Sequence, residues 1–340
     1  MKNTAYFFIT IIAIVIILIY GQNLLIPFIL ALLLWFLIRK IRHVIDRLEF
    51  IREKVPSWIK NLLVSGIIIV LMSLISKVIL NNINQIAQNY PSYEKNVESI
   101  ILQLNEELNM NLIEYLKTNA TEFDFGQVLK EIFNSLSDLL GNALLIVIYA
   151  LFIFLEEANF DNKLQKALGS KEKYTDVTSI LKQIEQSISN YIGMKSLVSL
   201  FTGIASYIAL ASIGIDSPMF WSFLIFILNF IPAVGSMIAT LFPAIFCLLQ
   251  FGAFKESLIV LGVVGAIQLL VGNLIEPKLM GKTLNISPLV AIFALSFWGV
   301  LWGVTGMLIS VPVTVIIVII CSHFEKTRSI AIMLSDKVKN

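Results

Sequence analysis

Seven stretches of this chain contain no Asp, Glu, Lys or Arg: Asn3 to Ile38, Asn61 to Ser76, Leu139 to Leu155, Ser196 to Ile215, Ser217 to Phe254, Ser257 to Ile275 and Thr283 to Ser322. A helix needs about 20 mostly apolar residues to cross the hydrocarbon core of a bilayer, so several of these runs span, and the longest has room for two helices. Composition agrees. Of the 340 residues 57% are hydrophobic and 14% charged, against about 25% charged in soluble domains, and the mean hydropathy is +0.85. The expectation is an all-α integral membrane protein with multiple passes.

The charges between the runs set an orientation. After Lys2 the apolar stretch Ala5 to Tyr20 is followed by no small-residue cleavage site, so it reads as a retained membrane segment. Between Arg39 and Lys60 seven basic residues (Arg39, Lys40, Arg42, Arg47, Arg52, Lys54, Lys60) face three acidic ones (Asp46, Glu49, Glu53), which places this segment in the cytoplasm. Its basic residues alternate at helical spacing with Ile41, Val44, Ile45, Leu48 and Ile51, a pattern suited to lying along the anionic inner leaflet. From Asn81 to Asp138 the balance reverses to three lysines against nine carboxylates, which suits the outer side. Two helical stripes there, Val97/Ile100/Ile101/Leu104/Leu108 and Val128/Leu129/Ile132/Phe133/Leu136, predict an amphipathic extracytoplasmic insertion. Leu139 to Leu155 then returns inward, Glu156 to Glu185 reads as a mixed-charge loop that is helical near its end, and Ser189 to Ser212 crosses outward. The organisation expected is an N-terminal membrane region with its basic linker (1–80), the acidic insertion (81–138), a span with a cytoplasmic loop (139–188), a core (189–321) and a tail (322–340). Both termini fall in the cytoplasm.

The core departs from simple spans. Pro218 to Phe230 and Ser236 to Gln250 flank "IPAVG", and at about 1.5 Å per residue arms of this size reach only about 20–22 Å into a core of about 30 Å. A re-entrant helical hairpin fits better. The pair Pro288 to Trp302 and Thr305 to Cys321 predicts a second broken hairpin in the C-terminal half. Helix breaks leave backbone groups unpaired, which hydrocarbon does not tolerate unless protein or a water-filled cavity satisfies them.

Several chemistries are disfavoured. "IEPKLMGKT" (Ile275 to Thr283) ends like a phosphate-binding loop, but Glu276 occupies the first glycine position, Pro277 has no N–H, and no strand precedes it. Cys247 and Cys321 form no pattern, His43 and His323 stand alone in polar flanks, and no nucleophile–base, paired-carboxylate or metal-ligand arrangement is visible. No enzyme activity, cofactor, metal or nucleic acid is expected. What the core offers is uncharged polarity at helix breaks: Asn229, Pro232, Gly235, Ser236 and Thr240 around the first, Gln268 and Asn273 ahead of Glu276, Pro277, Gly281 and Lys282, and Gly303, Thr305, Gly306, Ser310 and Pro312 around the second. Transporters place solutes at such breaks, where half-helix ends expose N–H and C=O groups. Neutral hydroxyls and amides suit a sugar-like polyol or diketone. Glu276 is expected to pair with Lys278 or Lys282, or to act as a gate or proton-coupling group. Gly235→Leu is expected to abolish flux.

Three ordered motifs, "NFIPAVGSMIATLFPAI", "NLIEPKLMGKTLNISPLV" and "FWGVLWGVTGMLISVPVTVII", resemble the C-terminal signature of the autoinducer-2 exporter family of bacterial membrane proteins. The resemblance implies a cell-membrane permease, with export of autoinducer-2 attributed to some members and sodium/proton exchange to others. Ala233 stands where the family often has Asn in "IPNIG". The expected partners are a small neutral hydrophilic solute, the lipid bilayer, a coupling sodium ion or proton, and further copies of the chain. A non-transporting membrane scaffold is the other alternative.

Overall fold

A computed structural model describes residues 2–46, positions 56, 59, 63, 66, 70, 73, 77, 82, 93, 95, 96 and 100, and residues 141–280 and 285–336. The described elements are helices: α1 (Lys2–Tyr20), α2 (Gln22–Ile45), α3 (Ala143–Leu168), α4 (Lys171–Ile213), α5 (Pro218–Leu228), α6 (Val234–Phe251), α7 (Phe254–Leu270), a π-helical turn (Val271–Ile275), α8 (Glu276–Met280), α9 (Pro288–His323) and α10 (Arg328–Leu334). Among the described residues five helical segments are long and apolar enough to cross a membrane: Gln22–Ile45, Lys171–Ile213, Val234–Phe251, Phe254–Leu279 and Pro288–His323. The Ala143–Leu168 helix, bent by 65° between Ala143–Glu157 and Asn159–Leu168, makes a sixth if it counts as one span. The chain is an all-α multi-pass membrane protein. Most of the acidic insertion's apolar stripes, with Gly281 and Lys282, lie outside the described residues.

The chain divides into two compact units: Met1–Val70, Ser135–Met194 and Lys282–Asn340 form the first, and Leu71–Asn134 and Lys195–Gly281 the second. In the first unit, Ala294, Trp298, Trp302 and Ile309 of α9 form a buried cluster packed by Leu18, Leu25, Ile26 and Ile29 from α1 and α2. Trp302 Nε1 donates to the Leu18 carbonyl at 2.9 Å, satisfying one of the acceptors that the end of α1 leaves unpaired. A polar network joins α2 to α3 and α4. The Arg39 guanidinium lies 3.5 Å from Glu157 and 3.0 Å from Glu185 and stacks 4.9 Å over the Trp35 ring, while Trp35 Nε1 donates to Glu157 at 2.9 Å.

Two expectations are corrected here. Glu156 to Glu185 is not a loop with a helical end: the backbone is helical through it except at Gly169 and Ser170, where Gly169 adopts a left-handed conformation and stops α3. The charges there mark exposure to water, not absence of helix. The second arm of the first hairpin is also longer than expected. α6 has 18 residues because the helix begins at Val234, inside the predicted tip, and continues through Pro243 to Phe251; α5, with 11 residues, rises only about 16 Å.

Candidate functional site

In the second unit the break between α5 and α6 is a tight reversal. Ala233 has φ 56° and ψ −59° and Val234 N–H donates to the Pro232 carbonyl at 2.6 Å, a γ-turn of the rare positive-φ kind. An L-residue holds this conformation only under strain. Two residues on, Gly235 is buried against the end of α5: a Cβ built there would stand 1.9 Å from the Leu228 carbonyl oxygen and 2.9 Å from Ile231 Cβ. Glycine is required by this approach of backbone to backbone. Ser236 Oγ donates to the Ala233 carbonyl at 2.8 Å and Thr240 Oγ1 to the Ser236 carbonyl at 2.8 Å, so both hydroxyls are spent on their own helix start.

At the end of α5, buried Asn229 turns to α4: its Nδ2 donates to Thr202 Oγ1 at 3.1 Å, and that hydroxyl donates to the Val198 carbonyl at 2.9 Å. One and two turns earlier on α4 sit Ser199 and Lys195. The Lys195 side chain is 8% exposed and its ammonium is bonded to the carboxylate of Glu276, which is 26% exposed. Glu276 opens α8 directly after the π-helical turn, a local unwinding that often accompanies functional positions. The carboxylate's partner is therefore Lys195, 81 residues away in sequence, while Lys278, the nearby candidate that is described, is exposed. Lys195 sits inside the 43-residue helix α4.

The remaining expected residues disperse. Gln268 on α7 is buried and its Nε2 has no hydrogen-bond partner among the described residues. Asn273 and Pro277 are exposed. In the first unit α9 is broken where expected, at Trp302 (φ −132°) and Gly303 (φ 59°, ψ −143°), the latter a conformation open essentially to glycine alone. Gly306 repeats the device of Gly235: a Cβ there would lie 1.9 Å from the Trp298 carbonyl oxygen. Thr305, Ser310 and Pro312 are buried, and Ser310 Oγ donates to the Met307 carbonyl at 2.7 Å. Each break thus combines a positive-φ residue with a glycine that backs onto a carbonyl of the preceding arm.

Asp216, ahead of α5, accepts a hydrogen bond from Tyr93 Oη at 2.8 Å, and its backbone N–H donates to Gln250 Oε1 at 2.7 Å. Asn96 Nδ2 donates to the carbonyls of Leu249 (3.0 Å) and Gln250 (2.7 Å), capping the end of α6. Within the second unit the described start of the acidic insertion is thereby tied to the end of α6 and to the turn before α5.

Inspection of the sequence missed Lys195, Ser199, Thr202 and Ser206. The signal was present: polar residues at i, i+4, i+7 and i+11 share one helix face.

The sequence as a whole is similar to those of proteins named as transport or putative transport proteins. The model of the AI-2E family transporter matches residues 7–326. The AI-2 transport protein TqsA of Escherichia coli (strain K12) is 28% identical over 325 residues, 93% of this chain and 91% of that protein. A "Putative transport protein" of Haemophilus influenzae is 29% identical over 295 residues, 84% of each chain. Another of that name from Borreliella burgdorferi is 41% identical over 197 residues, 57% of this chain and 54% of that protein. With nearly its whole length matched, the chain belongs to the AI-2E family of transporters.

Proposed function

We propose that this protein is a secondary transporter that exports a small hydrophilic signalling molecule, autoinducer-2, across the cytoplasmic membrane, with both termini in the cytoplasm. The observation that carries the reading is the character of the buried polar groups beside the first helix break. Asn229 and Thr202 are neutral, and the carboxylate that follows the π-helical turn is already compensated by Lys195. Such a lining exchanges hydrogen bonds with a neutral hydroxylated solute and needs no net charge to move with it. TqsA, to which nearly the whole chain is similar, is named an AI-2 transport protein, and that name supports the choice of solute. Export then follows the solute's own gradient or is coupled to a sodium ion or proton.

The test is flux from proteoliposomes loaded with autoinducer-2, beside a parallel set that reports internal pH after a sodium pulse, each repeated with Glu276→Gln. Protein-dependent loss of signal without a sodium-driven pH change is the expected result. A sodium-driven pH change that vanishes in Glu276→Gln, with no signal flux, replaces the exporter by a sodium/proton antiporter. Neither flux, from protein that has inserted and folded, leaves the scaffold alternative.

A further inference from the structure

We propose that the buried face of α4 from Lys195 to Ser206 is the binding subsite for the solute, and that it selects small neutral molecules bearing several hydroxyl groups. The inference rests on the transport reading and names residues that carry it. Ser199, Thr202 and Ser206 are 0% exposed. With Lys195 they run along one helix face for about 16 Å.

Serine or threonine inside a helix ordinarily returns its hydroxyl to a carbonyl three or four residues earlier. Thr202 does so to Val198, Ser212 to Ile208 and Ser222 to Pro218. Ser199 and Ser206 do not: their Oγ atoms are buried with no hydrogen-bond partner among the described residues. A hydroxyl placed out of water and left unsatisfied weakens a fold unless a ligand or water completes it. Two such groups on the face that already carries the Asn229–Thr202 bond are acceptors and donors in waiting. Spacing favours a molecule with several hydroxyls, since Ser199 and Ser206 are separated along the axis by about 10 Å, with the Thr202–Asn229 pair between them.

The end of the face fixes the charge of the ligand. Lys195 and Glu276 neutralise each other. An anion would have to displace Glu276 from Lys195 and a cation the reverse, whereas a neutral polyol, or a carbonyl in its hydrated form, disturbs neither.

The experiment compares wild type, Ser199→Ala/Ser206→Ala and Ser212→Ala in two measurements: autoinducer-2 flux against concentration in proteoliposomes, and the thermal midpoint of solubilised protein with and without solute. Each lost hydrogen bond is worth a factor of a few in affinity. The double variant should therefore raise the half-saturating concentration about tenfold. Its solute-free midpoint should be unchanged or higher, because an unsatisfied hydroxyl is removed, and Ser212→Ala should match wild type. An unchanged half-saturation overturns the subsite while export stands. A lowered solute-free midpoint with unaltered half-saturation assigns the hydroxyls to helix packing and overturns it equally. If wild type moves no autoinducer-2, the export reading fails by itself. The subsite then stands on heat stabilisation of wild type by erythritol or xylitol that the double variant loses, and falls if neither solute stabilises wild type or if the double variant keeps the effect.

Discussion

Replacing Gly235 by alanine adds one methyl group where the structure has no room for it. The new Cβ would lie 1.9 Å from the Leu228 carbonyl oxygen and 2.9 Å from both the carbonyl carbon and Ile231 Cβ. An ordinary carbon–oxygen contact is about 3.3 Å or longer, so the arms of the hairpin must part by about 1.4 Å. The obstacle is backbone and cannot swing aside. The same carbonyl accepts the Ile231 N–H at 2.9 Å, a bond that the displacement would stretch. Overpacking of this kind costs about 1–3 kcal/mol and a disturbed hydrogen bond about 1 kcal/mol more. We therefore expect Gly235→Ala to lose about 3 kcal/mol, seen as a fall of several degrees in the thermal midpoint of solubilised protein and as reduced flux. The control is Gly262→Ala on α7, where an added Cβ meets nothing within 4 Å and helix propensity predicts a gain of up to about 1 kcal/mol. Equal midpoints and flux for wild type and Gly235→Ala would refute the argument that close backbone approach holds the break. Loss of flux in Gly235→Leu, by the same reasoning, reports a sprung hairpin and not a plugged path.

Ala233→Gly should relieve the positive-φ strain and raise the midpoint by the equivalent of about 1 kcal/mol; a drop would mean that the alanine methyl packs more than it strains. Asn96→Ala removes the cap from the α6 terminus and should cost about 1–2 kcal/mol, with faster amide exchange for the residues that follow Gln250; unaltered exchange would dismiss the cap. Lys195→Met leaves Glu276 without its partner and should cost about 3 kcal/mol, the low end for buried pairs because the carboxylate is partly exposed. Adding Glu276→Leu should then restore most of the loss, and additive losses in the double variant would deny the pair. Arg39→Lys gives up the two-carboxylate reach and the stacking on Trp35 and should cost about 1 kcal/mol, measured by the same melt.

How far the fold was legible depended on which signals are local. The breaks were readable because Pro232 and Gly235, and Gly303 and Gly306, are residues whose backbone needs announce themselves in sequence, and the structure breaks α5–α6 and α9 at those places. Charge misled where it was used to mark element ends. Lys195 separates the mixed-charge segment from a charge-free stretch, yet α4 runs without interruption from Lys171 to Ile213, because lysine and serine are compatible with helix and only Gly169 before it and Gly214 after it adopt a helix-ending backbone. The pairing of Lys195 with Glu276 was beyond local reasoning. Once Glu276 was seen to need a cation, Lys278 and Lys282 were nearest in sequence, but only packing could bring Lys195 across. The strain at Ala233 was hidden for the opposite reason: alanine carries no sign that its φ is positive.

Of the described carboxylates an antiporter could draw on, Asp216 and Glu276 are engaged, while Glu256 carries a buried oxygen with no hydrogen-bond partner among the described residues. Asp216 is held by Tyr93 and by the Gln250 clamp on its own backbone, so using it for ion exchange would loosen the contact that ties the start of the insertion to the turn before α5. Glu276 is held by Lys195. Exchange there would separate the pair in every cycle and leave a lysine with 8% side-chain exposure uncompensated, the arrangement that low-dielectric surroundings penalise most. A neutral solute imposes neither cost. At the proposed subsite it would meet hydroxyls and an amide, and would trade one set of hydrogen bonds for another at little net energy. Glu276→Gln is therefore the substitution that separates the two readings. It keeps the length of the side chain and an acceptor oxygen for Lys195 while removing the charge, so an exporter should retain flux with lowered stability, whereas an antiporter that titrates this carboxylate should stop.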